Sequence, residues 1–233
     1  MYTAIHICSD ISFTLKQLSQ YLSDPAEHHR QALKGLLQYV HSIIDFGITY
    51  KSSESQDLIG YSDSDYVSDK QDQRSILGQI NMLGEEPISW ASWKQKFVVT
   101  STTEAEYMVM FTCVKTGIWL TQILTDMGLS KYLGSNSRRI QIHKDEVHRA
   151  NSPLQLNEDN QAALTLVKDA HVHDQSKHID VAYHHIHNLH QRNQIRVTFV
   201  SSQDMIADEL TKPLPKHAFK NFVTQLGLNC SGR

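Results

Sequence analysis

The sequence predicts a mixed α/β domain, with helices packed on a central sheet and a helical segment ahead of it. Three observations carry that expectation. Three short strand-like runs follow one another between residues 58 and 93, one long helical pattern comes after them, and strand and helix patterns alternate from there on.

The first fifty residues read as two helices. Ile11, Leu15, Leu18 and Leu22 recur at helical spacing, and a second stripe runs through Leu33, Leu36, Leu37, Val40, Ile43 and Ile44. Between them, Asp24-Pro25-Ala26-Glu27 offers an N-cap, a proline at the first helical position and a glutamate at the third, and Gly47 offers a stop. Such stripes need burial against something else, so residues 1–50 read as an attachment, not a free domain. The polar stretch 51–57 reads as a linker.

Residues 58–233 form the main domain. Runs at 58–63, 76–83 and 87–93, punctuated by turn residues including Gly84, suggest an antiparallel meander. Ser101-Thr102-Thr103-Glu104 has capping-box spacing, and apolar residues continue through Phe111, Val114, Ile118 and Leu124. A helix is therefore expected over about 102–127, with Gly128 ending it. Residues 131–152 are polar and aperiodic and read as an insertion. A strand at 154–158, helices at 161–168 and 179–191, an alternating strand at 195–200 and a short helix at 205–210 follow. Lys212-Pro213-Leu214-Pro215 then makes a rigid turn before a last helix at 216–226.

Composition narrows the class. At 233 residues the chain can bury a sizeable core without disulfides, and Cys8, Cys113 and Cys230 are too scattered for a disulfide framework or a CxxC zinc site. A reducing compartment fits. No apolar run approaches bilayer length and the first residues do not resemble a signal peptide, so the expectation is an intracellular protein, cytoplasmic or nuclear, with no membrane partner. A formal net charge of -3 argues against affinity by blanket neutralisation of phosphates, while leaving room for a local basic groove.

Four acids stand where strands or helices begin or end. Asp63 closes a strand on the face of Ile59 and Tyr61, and Asp159 follows the strand LQLNE just before a helix. In the helix STTEAEYM, Glu104 sits at a capping position, whereas Glu106 heads a small or apolar column through Met110, Cys113, Gly117 and Leu120 and should face inward. An inward carboxylate is costly unless positive charge meets it. Asp208 lies in IADEL near the chain end. Three or four carboxylates could hold two hard divalent ions, one to activate water and one to stabilise a leaving oxygen. Each acid taken alone reads equally as a cap or a surface charge, and spacing does not decide between these.

The motifs GYSDSDYVSD, DQRSILG, ISWASWKQKFVVTSTTEAEYM, EDNQAAL, SKHIDVAYHHI and IADELTKPLP, in this order, resemble the C-terminal part of copia-type LTR-retrotransposon polyproteins. The region SDISFTLKQLSQYLSDPAEHHRQALKGLLQYV is similar to the end of the reverse transcriptase section that precedes their ribonuclease H domain. The resemblance implies a ribonuclease H-like fold, a five-stranded mixed sheet flanked by helices. It also implies two Mg²⁺ or Mn²⁺ ions and hydrolysis of the RNA strand of an RNA–DNA hybrid, leaving 5′-phosphate and 3′-hydroxyl ends.

By the same resemblance the metal-holding acids fall on Asp63, Glu106, Asp159 and Asp208, with Asp63 bridging both ions. Asn160 and Gln161 fall where polar side chains meet the hybrid's minor groove and its 2′-hydroxyls. The polymerase domain of the same element becomes a candidate partner. There are departures: SSQDM lacks the histidine often found before the last acid, LQLNE replaces an aromatic strand, and the insertion is long. The polymerase's paired aspartates are absent, so the chain cannot copy nucleic acid. A catalytically silent nucleic-acid-binding module is the alternative reading.

Two further clusters stand out. Lys94 and Lys96, with Gln95, Trp90 and Trp93, could contact the DNA strand by phosphate pairing and stacking, or be ordinary strand aromatics beside a charged turn. His171, His173, His178, His184, His185, His187 and His190 crowd one stretch of a chain holding 14 histidines. They read as a solvated helix face that would favour phosphate when protonated, or as a zinc stripe.

Overall fold

In the computed structural model of the chain, the residues described are 2–51, 57–66, 73–96, 98–99, 101–129, 153–168 and 177–230, with the backbone alone for 177–180. The 131–152 insertion, His171, His173 and the side chain of His178 lie outside them.

The strand expectations hold closely. Strands β2 (Leu58–Asp65), β3 (Ile76–Leu83) and β4 (Glu86–Lys94) form the antiparallel meander, and β5 (Leu154–Glu158) and β6 (Ile195–Phe199) extend it. β5 runs parallel to β2, and β6 parallel to β5, giving the order β4-β3-β2-β5-β6. This is the five-stranded mixed sheet, flanked by helices, of a ribonuclease H-like fold. Because β2 and β5 are parallel neighbours, their carboxyl ends open on one edge.

Helix α4 (Thr102–Asp126) begins where Ser101 Oγ accepts the Glu104 N–H at 3.2 Å, as the capping spacing implied, and ends before Gly128 at φ 75°. Contrary to the sequence expectation, it is long and apolar enough by composition to cross a bilayer. Its setting is that of a core helix, with Ala105, Val109, Met110, Cys113 and Val114 fully buried. Helices α5 (Gln161–Lys168) and α6 (Lys177–Gln191) contribute Ala163, Val167 and Ile186 to the same core layer, with Leu156 from the sheet. The opposite face of the sheet is covered by a 3-10 turn, Ile206–Leu210, and by α7 (Lys216–Gln225), packed around Ile80, Met82 and Phe222.

The first fifty residues differ from expectation in detail. The first expected helix is split into α1 (Tyr2–His6), a 3-10 turn at Ser9–Ile11, and α2 (Ser12–Ser19). Helix α3 (Glu27–Ser42) starts two residues later than Pro25 suggested. Ala26 is extended at φ -74° and ψ 166°, and its N–H donates to His29 Nδ1 at 3.1 Å, so a histidine supplies the reciprocal cap. Among the described residues the α3 stripe is only partly covered: Leu36, Val40 and Ile43 are half-buried, while Leu33, Leu37 and Ile44 are exposed. Gly47 is no stop: it lies inside β1 (Phe46–Ile48), which pairs antiparallel with β7 (Leu228–Cys230) at the other end of the sequence.

This segment lies against the main domain. Ala4 C=O accepts the Trp90 indole N–H at 2.7 Å, Lys94 Nζ donates to Gln20 Oε1 at 3.0 Å, and Ala4, Ile11 and Phe13 are buried. On the same face of the sheet, Gly78 of β3 admits the 3-10 turn. A Cβ there would stand 2.7 Å from Thr211 Cγ2, 2.8 Å from Leu210 Cβ and 3.0 Å from the Ala207 carbonyl oxygen. Gly78→Ala is therefore expected to cost about 1–3 kcal/mol, read as a lower urea midpoint; an unchanged midpoint would mean that the turn moves aside freely.

Candidate metal centre

The site lies at the edge where β2 and β5 end. Asp63, near the end of β2, is paired across the ladder with Gly78 and is 4% exposed. Its Oδ2 accepts a short hydrogen bond from Thr211 Oγ1, just beyond the 3-10 turn. Glu106, in the second turn of α4, is 6% exposed, and its Oε2 has no hydrogen-bond partner. Asp159, immediately after β5, accepts from Ser202 Oγ at 2.6 Å. Carboxylate oxygens of Asp63, Glu106 and Asp159 lie within 4.8 Å of one another, and among the described residues they form the group of three so placed.

Asp208 is held beside this trio by an ion pair, Lys212 Nζ standing 2.8 Å from its Oδ1. A fifth acid, Glu158, is fully buried; its Oε2 accepts from Ser62 Oγ at 2.8 Å, and its charge bears on Glu106. Sequence reasoning missed it, although the signal was present: Leu154, Leu156 and Glu158 share one parity in β5, and the first two are core. Lys212 was missed as well. Its spacing of four from Asp208 is a weak cue that becomes meaningful only once the intervening turn is folded against Gly78.

The crowding shows in the acids' proton affinities. Burial, then Asp208, pushes Asp63 up to about 7, with Lys212 and Thr211 pulling the other way. Burial, then Glu158 and Asp63, pushes Glu106 far above the usual carboxylate range, and burial does the same to Glu158. Asp208 is raised by burial against the pull of Lys212. Lys212 itself is raised, because Asp63, Asp208 and Asp159 outweigh the effect of its burial. The donor set is all oxygen, one buried oxygen is unpartnered, and net negative charge is concentrated. That is the chemistry of a hard divalent cation site, and the residues fit Mg²⁺ or Mn²⁺.

The other expected contacts fare differently. Asn160 Oδ1 caps α5, accepting from the N–H groups of Ala162 and Ala163 at 2.9 and 3.0 Å. Gln161 and Lys96 are exposed. Lys94 and Trp90, read from sequence as nucleic-acid contacts, are engaged with the N-terminal segment. His184, His185, Asn188 and Arg192 line an open cleft on α6. His187 contacts the Val167 carbonyl oxygen at 3.2 Å through Nδ1 and Gln191 Nε2 at 2.8 Å through Nε2. His184, His187 and His190 form no joint ligand set among the described residues.

No family model matches the chain. It is 38% identical over 219 residues to the retrovirus-related Pol polyprotein from transposon RE1 of Arabidopsis thaliana, covering 94% of this chain and 14% of that one. To the corresponding polyprotein from transposon TNT 1-94 of Nicotiana tabacum it is 30% identical over 220 residues, covering 94% and 15%. The chain thus spans about 14% of the length of these relatives. Among solved structures, LC11-RNase H1, isolated from compost, aligns with a TM-score of 0.45 and 11% identity over 71% of this chain and 96% of that one.

The raised affinity of Asp63 has a definite sign. A carboxyl whose folded value exceeds its unfolded one favours the folded state below about 4, and that contribution is lost as pH rises through about 7. In chelator, the melting temperature of the wild type should therefore fall over this window more than that of Asp63→Asn, and the variant should melt higher at pH 8. Added Mg²⁺ should raise the wild type and leave the variant little changed. Parallel pH profiles for the two proteins would refute the crowding described above.

Proposed function

This chain belongs with the retrovirus-related Pol polyproteins of copia-type transposons, and from that premise we propose that it is their ribonuclease H, cutting the RNA strand of RNA–DNA hybrids with two divalent ions. The observation that carries the reading is the convergence of Asp63, Glu106 and Asp159 within 4.8 Å, around an unpartnered buried oxygen, at the open ends of two parallel strands.

Asp63, Glu106 and Asp159 would hold one ion, and Asp63 with Asp208 the other. Bound divalent ions supply the positive charge that offsets the scissile phosphate's and favours attack by water. The chain's own side chains do the rest. Thr211 and Ser202 fix the rotamers of Asp63 and Asp159 by donating to them. Water adds its oxygen to phosphorus, the 3′-oxygen leaves and takes a proton, and the products end in 5′-phosphate and 3′-hydroxyl. No histidine stands in 201–205 to carry that proton, so solvent or another residue would deliver it, and the attacking water would release its own proton to solvent. Gln161 and the amide of Asn160, which follow Asp159 in the chain, would sense 2′-hydroxyls, and the exposed Lys96 would meet backbone phosphate.

We place the activity inside the cell, in the cytoplasm or nucleus, next to the polymerase portion of the same element. The exposure of Leu33, Leu37 and Ile44 on and just beyond α3 supports such a neighbour. A catalytically silent hybrid-binding module is the second reading, favoured by the short supply of free cations around the site, since Lys94 and Lys212 are both engaged.

End-labelled RNA–DNA hybrid, RNA duplex and DNA duplex incubated with the purified chain in Mg²⁺, in Mn²⁺ and in EDTA test this directly. Cleavage should be confined to the hybrid's RNA strand, stop in EDTA, and fall at least about 10²-fold in Asp63→Asn. Binding of the hybrid without cleavage in either metal would establish the silent module instead.

A further inference from the structure

Lys212 stands where a cluster of acids would otherwise have no cation. Its ammonium is 2.8 Å from Asp208 Oδ1, and its charge bears also on Asp63 and Asp159. The lysine side chain is 38% exposed and the aspartate's 14%, so the pair spans the boundary between the buried acids and solvent. Its position is set by the backbone. The Asp208 carbonyl oxygen accepts from the N–H of Thr211 at 3.1 Å, the N–H of Lys212 at 3.0 Å and Thr211 Oγ1 at 3.0 Å, closing residues 208–212 into one unit. Thr211 ties that unit to Asp63, and the bare Cα of Gly78 lets it lie flat on the sheet.

One side of the centre is therefore unlike the other. Glu106 Oε2 in the trio is a buried oxygen with no hydrogen-bond partner, whereas Lys212 makes its ion pair with Asp208 and reaches Asp63 and Asp159 only through its charge from there. We propose that Lys212 is a tethered place-holder cation: it occupies the Asp208 side of the centre in the metal-free protein, and a second divalent ion enters only by displacing it. This rests on the two-ion reading above and adds an order to it. The first ion meets an open site, and the second competes with an ammonium that is present at an effective concentration set by its own short tether. Once displaced, the ammonium sits at the solvent mouth of the site, with a free stem long enough to pair with an anionic ligand there.

Calorimetric titration of the full chain with Mg²⁺ and with Mn²⁺, alongside melting curves in EDTA, tests this without recourse to activity. The wild type should bind one ion tightly and a second weakly. Lys212→Met, which keeps the stem and removes the charge, should tighten the weak site about tenfold or more, leave the tight site within about twofold, and lower the melting temperature in EDTA. Lys212→Arg should restore the wild-type pattern. A general loss of structure would instead weaken both sites, and Gly78→Ala serves as the control for that outcome. Two bound ions with affinities unchanged in Lys212→Met would overturn the place-holder while leaving the metal centre intact. Absence of any bound divalent ion in the wild type would overturn the metal reading, and the place-holder with it.

Discussion

Five carboxylates gathered at one edge of a sheet, with Asp63, Glu106 and Glu158 taken out of water, set the terms for the rest of this molecule. Each would sit comfortably in solvent, and together they repel. They approach the edge from both faces. Asp63 shares the parity of Tyr61 and stands on the side of the 3-10 turn that brings Asp208. Glu158 shares the parity of Leu154 and Leu156 and stands on the side of α4, which brings Glu106. Parallel pairing of β2 with β5 makes the two groups meet. An all-antiparallel sheet would have sent the carboxyl ends of these neighbouring strands in opposite directions.

The surrounding structure can be understood as what keeps those acids from moving apart. Hydroxyls from Ser62, Thr211 and Ser202 each take one carboxylate oxygen. Close packing does the rest. A Cβ on Gly60 would come within 2.8 Å of Cys113 Sγ, so α4 rides tight on β2, and Gly78 allows the same intimacy on the opposite face. The centre is thus held by shape at least as much as by hydrogen bonds. It can remain electrostatically unfavourable without falling open, as preorganised sites generally require.

Much of this was readable from the residues and some was not, for identifiable reasons. Strands β3 and β5 fall where turn-bounded runs put them, and β6 where alternation did, because period-two patterning records a half-buried face directly. Glu106 was separated from Glu104 by its apolar column, and the structure buries the former while using the latter's N–H in the cap. The pairing of β1 with β7 left no local signal, since strands of three residues at opposite ends of the chain carry no periodicity. The sequence left Trp90 and Lys94 open between nucleic-acid contacts and ordinary strand residues, because a chain read in order cannot show that its first twenty residues land on them. The reciprocal cap of α3 was missed because His29 is an unusual residue for that role.

The seating of Trp90 against Ala4 also bears on where this chain could be divided. The polar stretch at 51–57 looks like a natural cut, and contacts between distant sequence positions say otherwise. Removing residues 1–50 would strip β7 of its partner strand, leave the indole N–H without the Ala4 carbonyl, and take away the segment that packs on the 3-10 turn carrying Asp208. The opening fifty residues are in this sense a brace set against the turn that carries the fourth acid, and a minimal recombinant version of the sheet domain would need to retain them.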